Sequence, residues 1–455
     1  MLGPKIAVAR AAGALSRRSG RGATSLPGKL LMRLEPAAIE RLAGRLPQGS
    51  AVISATNGKT TTAAMVAAIL ERSGARLVHN RAGANMAGGV ASVLLDAARG
   101  DGIAGDAGLF EVDEFWLDRV VAQLRPRALL LGNLFRDQLD RYGELEAIAD
   151  RWAATVAAAP GTRLVLNADD PLVADLGRER DDAGVTYFGV QDDRVALHGM
   201  GHASDSKHCR RCGAPYAYDA VYMGHLGRYH CPNGDSRRPR PGVFATDVAL
   251  QGTRGARFTL HAGPHHATVA LPLPGLYNVY NALGAAALAR ALGAPLGDVV
   301  AGLEATQAAF GRAETISIGG RELAILLVKN PAGANEVLRT LALDPGEHDV
   351  LAVLNDRIAD GRDISWVWDA DFELIADRVR RVTCSGTRAA ELALRLKYAG
   401  VAPERLQVVP ALERGLDAAL ADGAGRLVAL PTYTAMLALR ELLVARGAAQ
   451  GSFAR

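Results

Sequence analysis

A short polar run between a predicted strand and a predicted helix constrains the fold of this chain more than any other feature. Residues 51–53 are apolar, and the run 51–54 is typical of a buried strand; an alanine-rich helical pattern follows residue 62. Between them stands Gly58-Lys59-Thr60. In phosphate-binding loops a strand leads through such a triplet into a helix, whose N-terminal N–H groups face the phosphates. The segment therefore predicts an α/β fold that binds a nucleotide.

The three loop residues have distinct chemical roles in such a site. Lys59 would reach the outer phosphates, and the Thr60 hydroxyl would bind Mg²⁺. The strict motif has a further Gly five positions before Gly58, where this chain has Ile53. The triplet alone is a weak signal, and a chance match at a strand–helix turn is the alternative interpretation.

Alternating strand and helix patterns continue along most of the chain. Strand-like runs at 108–110, 128–131 and 164–166 are separated by helical patterns, which favours a parallel sheet covered on both faces. A helix-rich stretch follows at 278–310. Five further strand-like runs alternate with helices, at 323–328, 350–354, 380–383, 406–409 and 427–430. We therefore predict an α/β protein with a first domain at 46–315 and a second, Rossmann-like domain at 316–455.

Residues 200–242 interrupt this alternation and predict an inserted module. Cys209 and Cys212 form a C-x₂-C pair, and Cys231 follows after 18 residues, as in the first three ligands of a zinc ribbon. The fourth cysteine of such a ribbon would stand at position 234, which is Gly234. A borrowed fourth ligand and a ribbon-shaped loop without metal are both open interpretations. The side chains considered as a fourth ligand are Asp235, His208, His225 and His230.

The N-terminal segment, residues 1–45, is basic. No Asp or Glu precedes Glu35, whereas seven Lys and Arg residues do. A basic helix packed on the next domain is the preferred interpretation; a segment attracted to an anionic membrane surface and an organellar transit peptide are the alternatives. Arg10 interrupts the apolar stretch early, which argues against a secretory signal.

Charge, hydropathy and cysteine content limit the classes of function. The net charge is only +4, which gives no reason to expect a nucleic-acid partner. No apolar run reaches the roughly 18 residues of a membrane span. Four Cys are too few for a disulfide framework, and three of them cluster as metal ligands do. We therefore expect a cytoplasmic protein. Association with the inner face of the membrane is left open.

Six motifs in a characteristic order extend the nucleotide signal. The first resembles the ATP loop of the Mur ligase superfamily, which adds amino acids to peptidoglycan precursors or glutamates to folate: Thr56, Asn57, Gly58, Lys59, Thr60 and Thr61. The other five lie at 80–85, 110–114, 167–171, 275–282 and 311–314. In that superfamily a Gly usually stands where this chain has Ala55.

The resemblance implies ATP and Mg²⁺ as cofactors and assigns further residues to them. It implies that Asn281 lies near the adenine and that Arg312 contacts the γ-phosphate. It also implies that Thr60 and Glu111 hold the Mg²⁺, because a cation that bridges phosphates needs hard oxygen ligands.

Three segments distinguish the chain from the amino-acid ligases of that superfamily. Residues 137–144, 327–333 and 355–369 resemble the MurT-type subunit of lipid II isoglutaminyl synthase, and Gln138 replaces a metal-binding His of the amino-acid ligases. This resemblance covers about residues 28–443. It implies a Mur-ligase-like ATPase domain with a zinc-ribbon-like insert, followed by a MurT-type C-terminal domain.

The same resemblance implies a reaction and a partner. A GatD-type glutaminase would release ammonia from glutamine. This subunit would use ATP to convert the α-carboxyl of D-glutamate in the lipid II stem peptide to an acyl phosphate, which ammonia then attacks to give D-isoglutamine. Such chemistry needs charge stabilisation and water exclusion rather than a nucleophilic side chain. Cys384 is accordingly interpreted as a buried structural residue.

Three acids after a predicted strand of the second domain are candidates for a catalytic role. The resemblance implies that Asp356, Asp360 or Asp363 completes the Cys–His pair of the partner glutaminase, by orienting its His as the acid of a triad does. Asp360 is preferred because Asp360-Gly361 favours an exposed turn. The alternative is a loop of solvated acids anchored by Trp366 and Trp368.

Two other functions remain as rivals. The first is an amino-acid ligase of the Mur or folylpolyglutamate type, which shares the ATPase core. The second is a zinc-ribbon protein that binds nucleic acid or acts as a scaffold and carries a vestigial ATP loop. The near-neutral charge and the complete set of Lys59, Thr60 and Glu111 argue against the second.

Overall fold

The structure is a computed structural model of the 455-residue chain. It describes residues 2–18, 25–80, 84–137, 145–201, 204–307, 314–421 and 425–449. The helices are α1 (Leu2–Arg18), α2 (Leu26–Leu34), α3 (Ala38–Ala43), α4 (Lys59–Arg72), α5 (Ala87–Ala97), α6 (Leu117–Leu124), α7 (Leu145–Ala157), α8 (Pro171–Ala174), α9 (Leu276–Ala291), α10 (Leu296–Glu304), α11 (Pro331–Ala342), α12 (Ala389–Tyr398), α13 (Leu412–Leu420) and α14 (Tyr433–Ala445).

The strands belong to two large sheets and two small hairpins. They are β1 (Ser50–Ser54), β2 (Leu77–His79), β3 (Ala98–Arg99), β4 (Gly102–Ile103), β5 (Ala107–Glu111), β6 (Ala128–Leu131), β7 (Arg163–Asn167), β8 (Val185–Val190), β9 (Ala217–Met223), β10 (Leu226–His230), β11 (Val243–Leu250), β12 (Ala256–Ala262), β13 (His265–Leu271), β14 (Glu314–Ile318), β15 (Arg321–Ile325), β16 (His348–Val353), β17 (Val379–Ser385), β18 (Leu406–Val408) and β19 (Leu427–Pro431).

The first sheet has nine strands in the order β13-β12-β11-β8-β7-β6-β1-β5-β2. All neighbours from β2 to β11 are parallel, whereas β12 and β13 are antiparallel. The prediction of a parallel sheet is therefore wrong for this edge. Buried and accessible residues alternate along β12, a pattern that an antiparallel edge with one solvated face tolerates.

The central strand β1 determines where a ligand can bind. All five of its residues are buried, and it lies between β5 and β6. The chain leaves β1 through α4 towards β2 on one side, and later returns to β6 on the other. Ligands of open α/β sheets bind outside the carboxyl ends of the strands at such a reversal. Here those ends belong to β1, β5 and β6.

The N-terminal helices pack on the first sheet's helical layer. The inward face of α1 buries Leu2, Ile6 and Ala9 in the same core as α5. Helix α2 crosses α5 so closely that a Cβ on Gly28 would lie 1.9 Å from the carbonyl oxygen of Gly88. This packing is what the preferred interpretation of the basic segment predicts.

The inserted module contains a β9–β10 hairpin and joins the first sheet through buried contacts. Tyr222 and Met223 enter the core beneath α9. The Arg238 guanidinium donates to the buried Asp169 carboxylate at 2.5 Å, and the Tyr280 hydroxyl donates to the same group at 2.6 Å. The module is thereby attached to the segment after β7 and to α9.

The second sheet has six strands in the order β14-β15-β19-β16-β17-β18, and only the β14–β15 pair is antiparallel. The five predicted strands of this region are confirmed as β15 to β19. Strand β14 was not predicted and begins at Glu314, inside the range assigned to the first domain. It buries little apolar surface and so has a weak sequence signal. Within the described ranges, no helix has the length and apolarity to cross a bilayer.

Candidate nucleotide site between the two sheets

The predicted phosphate loop lies between β1 and α4. Gly58 precedes α4 with φ of 85°, in the left-handed region, and a Cβ there would lie 2.0 Å from Asn281 Oδ1. Both constraints require glycine at this position. The first turn of α4 follows, and its N–H groups lack intrahelical partners as in any helix, so it can bind an anion.

A neighbouring strand holds the first half of the loop. Asn133 follows β6, and its side chain accepts from the Asn57 N–H at 2.9 Å and donates to the Asn57 carbonyl at 3.0 Å. Its backbone carbonyl accepts from the Thr56 N–H at 2.9 Å. Thr61 is buried in the first turn of α4 and lines the cavity that is described below. Asn133 is a positioning residue that the sequence motifs did not identify.

Lys59 lies in a cluster of carboxylates. Its ammonium donates to Glu114 Oε2 at 2.7 Å and to the Ala55 carbonyl. Burial alone would lower the pKa of Lys59, but the negative charges of Glu114 and Asp113 outweigh it and raise that pKa above its ordinary value. Burial, and then the charge of Glu114, raise the pKa of Asp113. Lys59 is therefore a protonated cation at neutral pH.

Thr60 and Glu111 meet as a Mg²⁺ site requires. The Thr60 hydroxyl donates to Glu111 Oε1 at 3.0 Å. Asn80, after β2, fixes the end of β5, because its amide donates to the Glu111 carbonyl at 2.7 Å and accepts from the Glu111 N–H at 2.9 Å. A carboxylate beside a hydroxyl is a donor set of the hard oxygen type that Mg²⁺ prefers, so these residues fit the ion.

Asn281 lies against the phosphate loop. Its amide oxygen accepts from the Thr62 hydroxyl at 3.3 Å, and its amide nitrogen donates to Asn278 at 3.0 Å. Its expected position near the adenine stays a prediction. Two other predicted residues, Arg312 and Gln138, lie outside the described residues.

The second sheet contributes a cation to the site. Lys329, in the loop after β15, donates to the Thr56 carbonyl at 3.2 Å and to Asp137 Oδ2 at 2.5 Å. Next to it, Asn330 and Asn57 exchange side-chain hydrogen bonds of 3.1 and 3.3 Å. Lys329 and Asn330 both lie in the 327–333 motif, which the sequence analysis identified. Neither residue was predicted to belong to the nucleotide site.

The two sheets enclose one cavity of about 420 Å³ at this position. Its lining combines the phosphate loop, the ends of β5 and β6, and the start of α9 with the β15–α11 loop of the second sheet. The phosphate loop and residues of the second domain thus line the same cavity.

The three candidate acids of the second domain occupy different environments. Asp360 is buried, and its carboxylate accepts from the Thr434 N–H at 2.7 Å and from its hydroxyl at 2.5 Å. The prediction of an exposed turn at Asp360 is therefore wrong, because this carboxylate holds the loop to the start of α14. Trp368, which the alternative interpretation takes as an anchor of the loop, is largely exposed.

Asp356 and Asp363 are nearer the surface than Asp360. Hydrogen bonds from the Thr387 hydroxyl and then from the Arg388 guanidinium lower the pKa of Asp356. Asp363 is exposed, and the backbone N–H of Ser365 lowers its pKa. Both carboxylates are therefore ionised at neutral pH and more accessible to another chain than Asp360.

The three cysteines of the insert come together as predicted. The Sγ atoms of Cys209, Cys212 and Cys231 lie within 4.8 Å of one another. Burial would raise the pKa of Cys209, but backbone N–H groups outweigh it and lower that pKa, which favours the thiolate. Among the described residues, no His, Asp or Glu joins this group as a fourth ligand. A structural zinc site needs four, so zinc remains a prediction.

The buried His225 is not near this cluster. Its imidazole is fully buried, lies 3.4 Å from the Asp170 carboxylate and packs on Phe135. It is therefore excluded as the fourth ligand of the cysteine cluster in this conformation.

Comparisons with known proteins place the chain among cell-wall ligases. A family model described as "Mur ligase middle domain" matches residues 53–233, and one described as "MurT ligase C-terminal" matches residues 327–436. A lipid II isoglutaminyl synthase (glutamine-hydrolyzing) subunit MurT from Streptococcus pneumoniae is 32% identical over 94% of this chain and 94% of that protein. Its counterpart from Staphylococcus aureus is 33% identical over 96% and 97%.

A solved structure supports the fold. A pseudomurein peptide ligase type C from Methanothermus fervidus has a TM-score of 0.67 at 23% identity, over 89% of this chain and 80% of that chain. This likeness concerns the arrangement of the sheets and helices alone.

The two ammonium groups in the cavity predict the behaviour of binding variants. Lys59→Met and Lys329→Met should each weaken Mg²⁺-ATP binding, Lys59→Met by on the order of 10–100-fold, because a hydrogen bond to a charged group is lost. Calorimetric titration measures the affinity. Lys397→Met, on the exposed surface of α12, is the matched control. Unchanged affinity of Lys59→Met, with an unchanged melting temperature, would contradict the site.

The cysteine cluster predicts bound zinc in protein purified without chelator. Elemental analysis should find about one zinc per chain. The Cys209→Ser variant should lose it, because the two remaining thiolates are too few to hold zinc in a tetrahedral site. Cys384→Ser, in the second domain, removes a thiol outside the cluster and should keep the metal. A wild-type protein without zinc would establish the insert as a metal-free loop.

Proposed function

The chain belongs to the MurT family of the Mur ligase superfamily, and we propose that it is the ATP-dependent ligase subunit of a lipid II isoglutaminyl synthase. Its reaction is the amidation of the α-carboxyl of D-glutamate in the lipid II stem peptide, with ammonia as the nitrogen donor. The product contains D-isoglutamine and enters peptidoglycan.

One structural observation supports the proposal independently of family membership. The phosphate loop and the MurT-type region line a single cavity, joined by the Asn57–Asn330 pair and by Lys329. A ligase must bring a nucleotide phosphate and an acceptor carboxylate together, and this cavity is bounded by cations from both sheets. The second domain thus acts on the same reacting groups as the ATPase domain.

The first chemical step activates the carboxylate. A carboxylate oxygen of the substrate attacks the γ-phosphorus of ATP, a P–O bond forms, and the bond to ADP breaks with its electrons leaving on ADP. Negative charge develops on the transferred phosphoryl oxygens, where Lys59 of the first sheet's domain and Lys329 of the second domain stabilise it. Mg²⁺ held by Thr60 and Glu111 would neutralise further phosphate charge.

The second step forms the amide. Ammonia attacks the carbonyl carbon of the acyl phosphate, the C–O bond to phosphate breaks, and the nitrogen loses one proton. Water would compete in this step, so the closing of the two sheets around the cavity protects the intermediate. Cys384 takes no part, because it is buried and burial raises its pKa to about 12.

The ammonia comes from a second chain in this proposal. The relatives are named as subunits of a glutamine-hydrolyzing enzyme, and we infer a GatD-type glutaminase as the partner. A carboxylate of this chain would orient the catalytic His of that partner. The accessibility of Asp363 and Asp356, compared with the buried Asp360, makes these two the proposed residues.

The proposed reaction predicts which nitrogen donors support ATP turnover. The complex of this chain with its glutaminase should amidate lipid II with glutamine or with an ammonium salt, and mass spectrometry would detect replacement of OH by NH₂. Free amino acids should not be ligated. Ligation of an amino acid without amidation would favour the rival amino-acid ligase. ATP turnover that does not respond to lipid II would contradict the proposed substrate.

Because glutamine hydrolysis and amidation take place on different chains in this proposal, a variant should be able to impair the first without the second. Asp363→Asn, or Asp356→Asn, should lower glutamine hydrolysis by the complex because a neutral amide cannot stabilise an imidazolium. Amidation driven by an ammonium salt should be unchanged. Asp360→Asn is the contrasting variant and should lower the melting temperature, because its hydrogen bonds to Thr434 are weakened. Normal glutamine hydrolysis by both surface variants would contradict a triad shared between the chains.

A further inference from the structure

The outward face of α1 is apolar. Every exposed position between residues 3 and 15 carries an apolar side chain or glycine. These positions recur at helical spacing: Gly3, Pro4, Ala7, Val8, Ala11, Ala14 and Leu15. Val8 is 53% exposed and Leu15 67%. A surface helix normally turns polar residues to water, so a helix that is apolar on its inward and outward faces is expected to have a second covering.

The neighbouring helix α2 adds bases and further apolar residues to this surface. Its exposed positions include Leu26, Lys29, Arg33 and Leu34, at the spacing of one helical face. Helices α1 and α2 contact each other, and both pack on α5. Both helices bury residues in one core, Leu2, Ile6 and Ala9 from α1 and Leu31 from α2, so their exposed residues lie on the outer side of that core. We call these exposed residues of α1 and α2 the α1–α2 face.

The charge of the α1–α2 face has one sign. No acidic residue precedes Glu35 in the sequence. Glu35 is itself bound by Lys5 at 3.0 Å and by Arg41 at 3.1 Å, so its charge is compensated. Lys29 and Arg33 remain exposed beside the apolar residues. This combination of bases with exposed apolar residues complements an anionic interface with an apolar interior.

The α1–α2 face is linked to the lining of the cavity through α5. The start of α2 crosses α5 where the Gly28 N–H donates to Ser92 Oγ at 2.9 Å and Gly28 touches Gly88. Met86 stands two residues before Gly88, lines the cavity and is 42% exposed. The helices that carry the α1–α2 face therefore pack against a segment that begins at a residue of the cavity lining.

We propose that the α1–α2 face is a docking surface for an anionic lipid bilayer. Lys29 and Arg33 bind lipid headgroups, while Val8, Leu15 and Leu26 enter the interfacial region with α1 parallel to the membrane plane. The benefit for catalysis rests on the proposed function, because docking would bring the cavity to a substrate anchored in the same bilayer. Lipid binding itself is measured without that substrate, so it can fail or succeed independently of the proposed reaction.

Vesicle sedimentation of the full-length chain tests the proposal. Wild-type protein should sediment with vesicles of 70% phosphatidylcholine and 30% phosphatidylglycerol, and sedimentation should weaken with added salt. It should sediment on the order of tenfold less with pure phosphatidylcholine. Val8→Glu/Leu15→Glu and Lys29→Glu/Arg33→Glu should each lower the partition coefficient by on the order of tenfold or more.

The control is Leu343→Glu, an exposed apolar residue of the second domain, which should bind vesicles as the wild type does. Melting temperatures and Mg²⁺-ATP affinity, measured for every variant, show whether the fold is intact. Wild-type protein that stays in the supernatant would overturn the proposal, as would equal binding of Val8→Glu/Leu15→Glu. If that variant instead converts a dimer to a monomer without changing vesicle binding, the α1–α2 face is a contact between two copies of the chain and the proposal fails.

Discussion

Hydrogen bonds between the phosphate loop and the loop after β15 hold the two sheets around one cavity, and the chemistry of the site depends on them. Lys329 binds the Thr56 carbonyl, and Asn330 pairs with Asn57. In the reaction we propose, enclosure between the two sheets keeps water away from the acyl phosphate. The interface between the sheets is part of the candidate site, because it contributes Lys329 to the lining of the cavity.

Each of the two ammonium groups in the cavity is paired with a carboxylate. Lys59 is paired with Glu114 and Lys329 with Asp137. For the buried Lys59, the negative charges of Glu114 and Asp113 outweigh desolvation and raise its pKa. In the reaction we propose, the phosphates of an incoming nucleotide compete with these carboxylates for the same ammonium groups.

Secondary-structure elements were predicted correctly where a short run of residues was enough to identify them. Strand β1, the α4 start and the strands β15 to β19 follow from apolar runs and glycine positions. The antiparallel edge at β12 and β13 was missed because its one-sided burial weakens the apolar signal. Asp360 was misjudged for a different reason: Asp-Gly favours a turn, but the partner that buries the carboxylate, Thr434, is 74 residues away in the sequence.

The sequence by itself determined the ATP loop, the cysteine cluster and the family, because these depend on residue types at short, fixed spacing. Only the tertiary structure decided which charged groups meet. Lys329 and Asp137 are 192 residues apart, and Asn57 and Asn330 are 273 apart. Such pairs depend on how two sheets pack, which no local pattern encodes. The tertiary structure likewise decided which apolar residues of α1 are exposed, because packing buries only one face of the helix.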